Sequence, residues 1–343
     1  MTGAFIYYAV LNILSIIFAG IYLYRWHKRF DTFMTIAFTL IPIINLAYFL
    51  MYTTGDVKAV VVALKITYVG GCYLPWFTML CIASICEIKI NKVARLATFI
   101  LNTIFFACVL TGGTNIHIFY KSVDLIQVND AWVITKEYGF VHTIYYVFIS
   151  LYLIVDVGLI VYAYKKKTQI SRRILFNLFF PIPFTIIGYF INHTTIKYGY
   201  EIVPFTYVVS QLVYLYIAHR MVIYNVSDMA VETMAQSGDT GFISADFKKR
   251  YLGSNETARI ILPKLNSLIV DGPICNSDEL TDTVGKWIDD FNIDKENKTF
   301  SFNTVINGEE KIYSVNINYL YDGTTRRGYQ ILLEDDTQNQ KYI

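Results

Sequence analysis

Charge is scarce in this sequence. Only 16% of its 343 residues are Asp, Glu, Lys or Arg, against about 25% in an ordinary soluble chain, and 55% are hydrophobic. That balance excludes a chain that is soluble throughout. Cysteine is scarce as well. Cys72, Cys81, Cys86 and Cys108 fall in apolar runs and Cys275 in a polar region, without metal-ligand spacing or an extracellular partner. They read as small packing residues, and no metal site is expected. Residues 226–343 contain no histidine, which removes ordinary His-ligated haem from that part. A phosphate-cradling glycine loop is missing too. Gly70-Gly71 sits inside an apolar run, where small residues permit close helix packing. No cofactor and no nucleic-acid partner are expected.

What is present is unevenly distributed. Residues 1–224 carry long apolar runs, whereas 225–343 have the charge content of a soluble domain. A hydrocarbon core of roughly 30 Å needs about 20 apolar residues per helix. Seven runs qualify as spans: 5–24, 33–52, 59–86, 96–111, 140–164, 174–191 and 202–219. The first has no basic stretch before it and no small-residue cleavage site after it, so it reads as a retained span. Alternate connecting loops differ in charge. One set holds eleven Lys and Arg (25, 28, 29, 89, 92, 95, 165–167, 172 and 173), and the other only Lys58, Lys121, Lys136 and Lys197. The bias places the N-terminus outside the plasma membrane and the polar domain in the cytoplasm. A retinal pigment needs a Schiff-base lysine in the last helix, and 202–219 has none.

The longest outside loop, 112–139, contains two apolar, β-branched stretches flanking Asn129-Asp130, the pattern of a small hairpin over the bundle. It leads into Tyr138-Gly-Phe-Val-His142-Thr-Ile-Tyr145-Tyr146, where His142 and Tyr146 share a helix face. His117, Tyr120, His142, Tyr145 and Tyr146 are therefore the candidate ligand-binding residues, with Trp76 beside Pro75 as a deeper apolar floor. The competing interpretation is a belt of aromatic residues at the membrane interface. Two ionisable residues lie within the spans: Lys65, long enough to snorkel to the outer surface, and Asp156 in the inner half of the fifth. Prolines 42, 75, 181, 183 and 204 interrupt four spans.

The polar part reads as α+β. Residues 225–239 form a helical linker. Strands follow at 240–246 and over Tyr251–Asn255, then a helix capped by Ser254-Asn255. An amphipathic segment, 278–291, turns Leu280, Val284, Trp287, Ile288 and Phe291 inward. Three further strands form a meander, with Asn307-Gly308 and Asp322-Gly323 at its turns. Two strands, short helices and a three-stranded meander are the layout of a PAS domain, spanning 240–336 with a five-stranded antiparallel sheet. The membrane part, through "HIFY" (117–120), "YGFVHTIYY" (138–146) and "GGCYLPWF" (70–77), resembles the seven-helix N-terminal sensor region of bacterial histidine kinases and cyclic-di-GMP enzymes. "EDDT" (334–337) resembles the Asp-x-Thr junction from which PAS domains launch a signalling helix, here 337–343.

The resemblance implies a transmembrane receptor in which a small ligand biases the helix packing and a PAS domain relays the change. The effector would be a diguanylate cyclase, a cyclic-di-GMP phosphodiesterase or a histidine kinase. The chain shows no kinase nucleotide motif, no cyclase signature and no His-Asp metal spacing, so no catalytic residue is expected in it. A parallel homodimer and contact with membrane lipid are the expected partners. The rival reading is a transporter or lipid-handling membrane protein with a regulatory PAS domain. It lacks support from internal repeats or midplane charges. Flavin photochemistry in the PAS domain would need a cysteine in its helical region, and Cys275 falls in an expected loop.

Overall fold

The structure, a computed structural model, describes residues 3–25, 31–128, 131–166, 170–195, 200–235, 240–294, 299–306, 308–322 and 324–340. It separates into two compact units, residues 1–167 with 174–218, and 168–173 with 219–343.

The first unit is a helical bundle. Helices α1 (Gly3–Tyr24), α2 (Thr32–Thr53), α3 (Val57–Ile85), α4 (Lys92–Leu110) and α5 (Phe140–Lys166) follow the apolar runs, and each is long and apolar enough to cross a membrane. Short polar residues start them. Asp31 accepts from the Met34 N–H at 2.9 Å, Asp56 from Lys58 and Ala59 at 3.1 and 3.2 Å, and Asn91 from Val93 at 2.9 Å. Each supplies a partner to N–H groups that the helix itself leaves open. Ile13, Ile16, Val147 and Ile154 remain exposed on the outer faces, the pattern of helices solvated by hydrocarbon. The sixth expected span does not run as one helix. It is divided at Phe180 into α6 (Arg172–Phe179) and α7 (Pro181–Thr195). Pro181 has no N–H to continue the ladder, and Pro183 follows two residues on. The last helix, α8 (Val203–Ala235), is one piece of 33 residues whose positions from 219 onward belong to the second unit.

Between α4 and α5 the chain forms a hairpin of β1 (Tyr120–Val128) and β2 (Ala131–Tyr138), paired antiparallel from Tyr120–Tyr138 to Val128–Ala131. The expected turn residues Asn129 and Asp130 lie outside the described residues. The hairpin is tied to the start of α5, because Gly139 N donates to Phe119 O at 2.8 Å and Val141 N to Ile118 O at 3.3 Å. A Cβ at Gly139 would overlap the Ile118 carbonyl oxygen, so only glycine fits this crossing.

The second unit carries a five-stranded antiparallel sheet: β3 (Gly241–Asp246), β4 (Tyr251–Ser254), β5 (Thr299–Ile306), β6 (Glu309–Asp322) and β7 (Thr325–Asp335) in the order β4-β3-β7-β6-β5. Asp246 shapes the β3–β4 turn by accepting from Lys248 and Arg250 N–H groups at 2.8 and 2.9 Å. Asn255 caps α9 (Glu256–Ile261) through Ala258 N and also pairs with Phe242 N and Thr240 O, fastening helix to sheet. The helical stretch 278–294 consists of α10 (Asp278–Leu280), a π turn and α11 (Lys286–Asp294). It buries Leu280, Val284, Trp287, Ile288 and Phe291 against Ile317, Ile331 and Leu333 of the sheet.

Candidate functional site

At the hairpin end of the bundle, one acidic residue gathers partners from three elements. Glu201 lies just before α8 and is 4% exposed. Its Oε1 accepts from Lys136 Nζ of β2 at 2.6 Å and from the Tyr52 hydroxyl of α2 at 2.7 Å. Its backbone is held by α1: Tyr7 donates to the Glu201 carbonyl at 2.8 Å, and the Glu201 N–H donates to Tyr8 Oη at 2.7 Å. The Tyr8 and Tyr52 rings stack at 4.6 Å. An ion pair with both side chains almost removed from water needs further hydrogen bonds to be tolerable, and Tyr52 supplies one to the carboxylate. Burial first, and then the Glu201 charge, push the Tyr138 phenol in β2 well above its ordinary range. It is therefore a neutral wall at physiological pH.

Lys136 and Glu201 line a cavity of about 120 Å³. Its walls come from α2, α3, β2, α5, α7 and the start of α8, and they are rich in phenols: Tyr48, Tyr68, Tyr138, Tyr145, Tyr146 and Tyr207. Close helix approach makes this geometry. A Cβ at Gly71 would crowd the Tyr145 hydroxyl, and one at Gly70 the Ile44 side chain of α2, so the glycine pair lets α3 pack against both neighbours.

The residues singled out from the sequence distribute as follows. Tyr145 and Tyr146 line the cavity. His142 lies behind them, 3% exposed, stacked on Tyr138 at 3.7 Å and edge-on to Tyr146 at 4.3 Å, with its Nε2 lacking a hydrogen-bond partner. Tyr120 joins the same aromatic layer through Tyr68, Phe119 and Tyr138. His117 is exposed and lines a separate cleft with Lys58, Lys65 and Asp124. Trp76 turns to α4, donating from Nε1 to Thr98 at 2.9 Å and packing on Phe77 and Phe99. It is not among the residues that line the tyrosine cavity.

Sequence reasoning missed Glu201, the centre of the network, together with Tyr7, Tyr8 and Tyr52, and counted Lys136 only as a loop charge. No local pattern marks them. Tyr52 and Glu201 are 149 positions apart, and Tyr8 and Glu201 are 193 apart.

The second unit has a polar centre of its own. Arg220 Nη2 of α8 bonds Asp271 Oδ1 at 2.5 Å, and the Tyr224 and Ser171 hydroxyls donate to Asp271 Oδ2. Asp271 sits in the left-handed region at φ 67°, and its N–H donates to Tyr251 O of β4 at 2.9 Å. Burial, followed by the bond to Asp271, raises the Tyr224 phenol well above its ordinary range. At the end of the central strand β7, Asp335 accepts from the Thr337 N–H at 3.0 Å, from the Thr337 hydroxyl at 2.5 Å and from Lys311 Nζ at 2.8 Å. Thr337 then opens α12 (Thr337–Gln340).

The first unit is thus a bundle of apolar helices that encloses a phenol-lined cavity beside a buried ion pair. The chain matches the N-terminal 7TM region of histidine kinase over residues 10–227, and it belongs to that family. The matched part is the membrane-embedded, non-catalytic input region of such kinases, so the chain has a membrane sensor role. No curated protein and no solved structure matches it.

Proposed function

We propose that this chain is the receptor part of a transmembrane signalling protein. A small ligand binds the tyrosine cavity from outside the cell and shifts the helix packing, and α8 passes the shift to a cytoplasmic PAS-like domain. The observation that carries the proposal is the cavity itself. A ligand there touches six elements at once, and only a difference in affinity between two packings moves such an equilibrium. Tyr145 and Tyr146 contact the ligand, with Tyr120 and His142 holding them from behind, while His117 and Trp76 stand apart. In this reading α6 and α7 together make the sixth span and α8 the seventh, with the N-terminus and hairpin outside. The PAS assignment for 240–336 draws support from the order β4-β3-β7-β6-β5 and from helices inserted between the second and third strands of the domain. The Asp335–Thr337 junction then launches a helix toward a kinase or cyclic-di-GMP effector in a parallel homodimer.

The test has two arms. In intact cells an impermeant thiol reagent should label Lys121→Cys and not Lys165→Cys; the reverse pattern overturns the topology. Native mass spectrometry of the chain extracted into nanodiscs should show a retained small molecule that Val203→Phe, which fills the cavity, displaces. An identical small-molecule complement in both forms overturns the cavity as the binding site.

A further inference from the structure

A second cavity, about 100 Å³, lies deeper in the bundle, between α2, α3, α5, α7 and α8. Two of its lining groups stand out because both are buried acceptors without donors. Asp156 of α5 is 2% exposed, and its Oδ1 has no hydrogen-bond partner. Gln211 of α8 is fully buried, and its Oε1 has none either. The amide cannot be turned round to supply a donor. Its Nε2 faces two backbone carbonyls, Ser15 O at 3.4 Å and Phe38 O at 3.5 Å. The Phe38 carbonyl is short of a helical partner because residue 42, which would bond it, is proline. The end of Gln211 left over is therefore an oxygen.

Two hydroxyls of the same wall are committed in the same sense. Ser210 donates to Thr206 O at 2.8 Å and Thr185 to Pro181 O at 2.9 Å, so both present lone pairs to the space. The remaining titratable groups of the lining are Cys81, Tyr207 and Tyr214, and among the described residues no Lys or Arg lines the cavity. A carboxyl inside a membrane bundle is costly unless something satisfies it, and no described residue bonds the free oxygen of this one.

We propose that this cavity is a binding site for a small monovalent cation of sodium's type, held by Asp156 and Gln211 with water completing its shell. The ligand class follows from the donor set. All the committed groups offer hard oxygen, which favours ions such as sodium over soft metals. One carboxylate balances one positive charge, so a divalent ion would be left uncompensated. The volume accommodates an ion with a few waters, since one water needs only about 10–15 Å³ of such space. An ion here bridges α5 and α8, the latter being the helix that continues into the second unit. It would bias the same packing equilibrium as the tyrosine cavity, from a separate site.

The experiment uses the full chain in lipid nanodiscs at neutral pH, with choline replacing sodium at constant ionic strength. Radiolabelled sodium should bind saturably at about one ion per chain by the one-to-one charge balance. Sodium should also raise Tm in a saturable way. Asp156→Asn should abolish both effects while keeping the Tm seen in choline. Gln211→Ala should weaken binding roughly tenfold, the loss of one charge-to-dipole contact. The wild type decides the matter alone should the Asn variant not fold. Absence of saturable sodium binding overturns the proposal, as does an infrared band of a protonated carboxyl that persists in saturating sodium and vanishes in Asp156→Asn. Binding that survives in a folded Asp156→Asn variant also overturns it.

Discussion

The hairpin end of the bundle and its middle each bury one carboxyl, and they treat it in opposite ways. Glu201 has a lysine, a phenol and two anchored backbone contacts, all reached from other elements. Asp156 has an oxygen that no described residue bonds. The first arrangement is closed by the protein itself, so it sets the geometry of the cavity wall and positions the hairpin over the helices. The second is left open on the protein's side, and open polar groups at such depth mark places where something exchangeable binds. The two carboxyls thus differ in whether their partners come from the fold.

The strongest way to break that comparison is to reopen the closed site. Lys136→Ala leaves Glu201 buried without its cation, and the expected cost is about 3–5 kcal/mol. Thermal unfolding in nanodiscs measures it. Adding Glu201→Gln should restore most of the loss, because a neutral amide no longer needs the ammonium. If the two changes prove additive, the ion pair does not organise this end of the bundle, and the contrast with Asp156 collapses.

A smaller effect sharpens the comparison in the second unit. Asp271 is closed like Glu201, with Arg220, Tyr224 and Ser171 around it. Arg220→Ala should cost about 2 kcal/mol, below the Lys136 value, since both hydroxyl donors remain and Arg220 is itself 14% exposed. Hydrogen exchange should quicken at the amides of Tyr251, Asp271 and Ile274, which bond across this turn. Unchanged protection there would show that the arginine does not hold the turn.

The smallest effect belongs to the exposed counterpart. Bonds from Lys311 and Thr337 hold the Asp335 carboxyl at about 2. Its folded value lies below the unfolded one of about 4, so the stabilisation is present above that range and lost as pH falls through about 2. Both side chains of the Lys311–Asp335 pair are one-third exposed, so the contribution is small and declines with salt. Asp335→Asn should flatten the acid limb of the stability–pH curve slightly. An unaltered limb would assign the acid sensitivity to other carboxylates.

Much of the architecture was legible without coordinates. The apolar runs became α1 to α5, the β-branched stretches on either side of Asn129-Asp130 became a hairpin, and Asn255 capped its helix. Each of these depends on length, period or a cap within a few residues, and such signals are local. The break of the sixth run at Phe180 was visible as a pair of prolines, although their effect on helix length was not. The site was legible only in part. Tyr145 and Tyr146 announced themselves beside the hairpin, yet Trp76 turned to α4, and the centre at Glu201 carried no mark.

By itself, then, the sequence determined that apolar helices precede a separate antiparallel sheet, because water and hydrocarbon sort residues by composition and a strand or helix is chosen by spacing. Only the tertiary structure decided which carboxyl is closed and which is open. Partners separated by 149 or 193 positions meet through the packing of whole helices. The orientation of Gln211 depends on two carbonyls from other helices, one of them short of a partner through a proline. Those are properties of contacts across the bundle, and no single stretch of chain contains them.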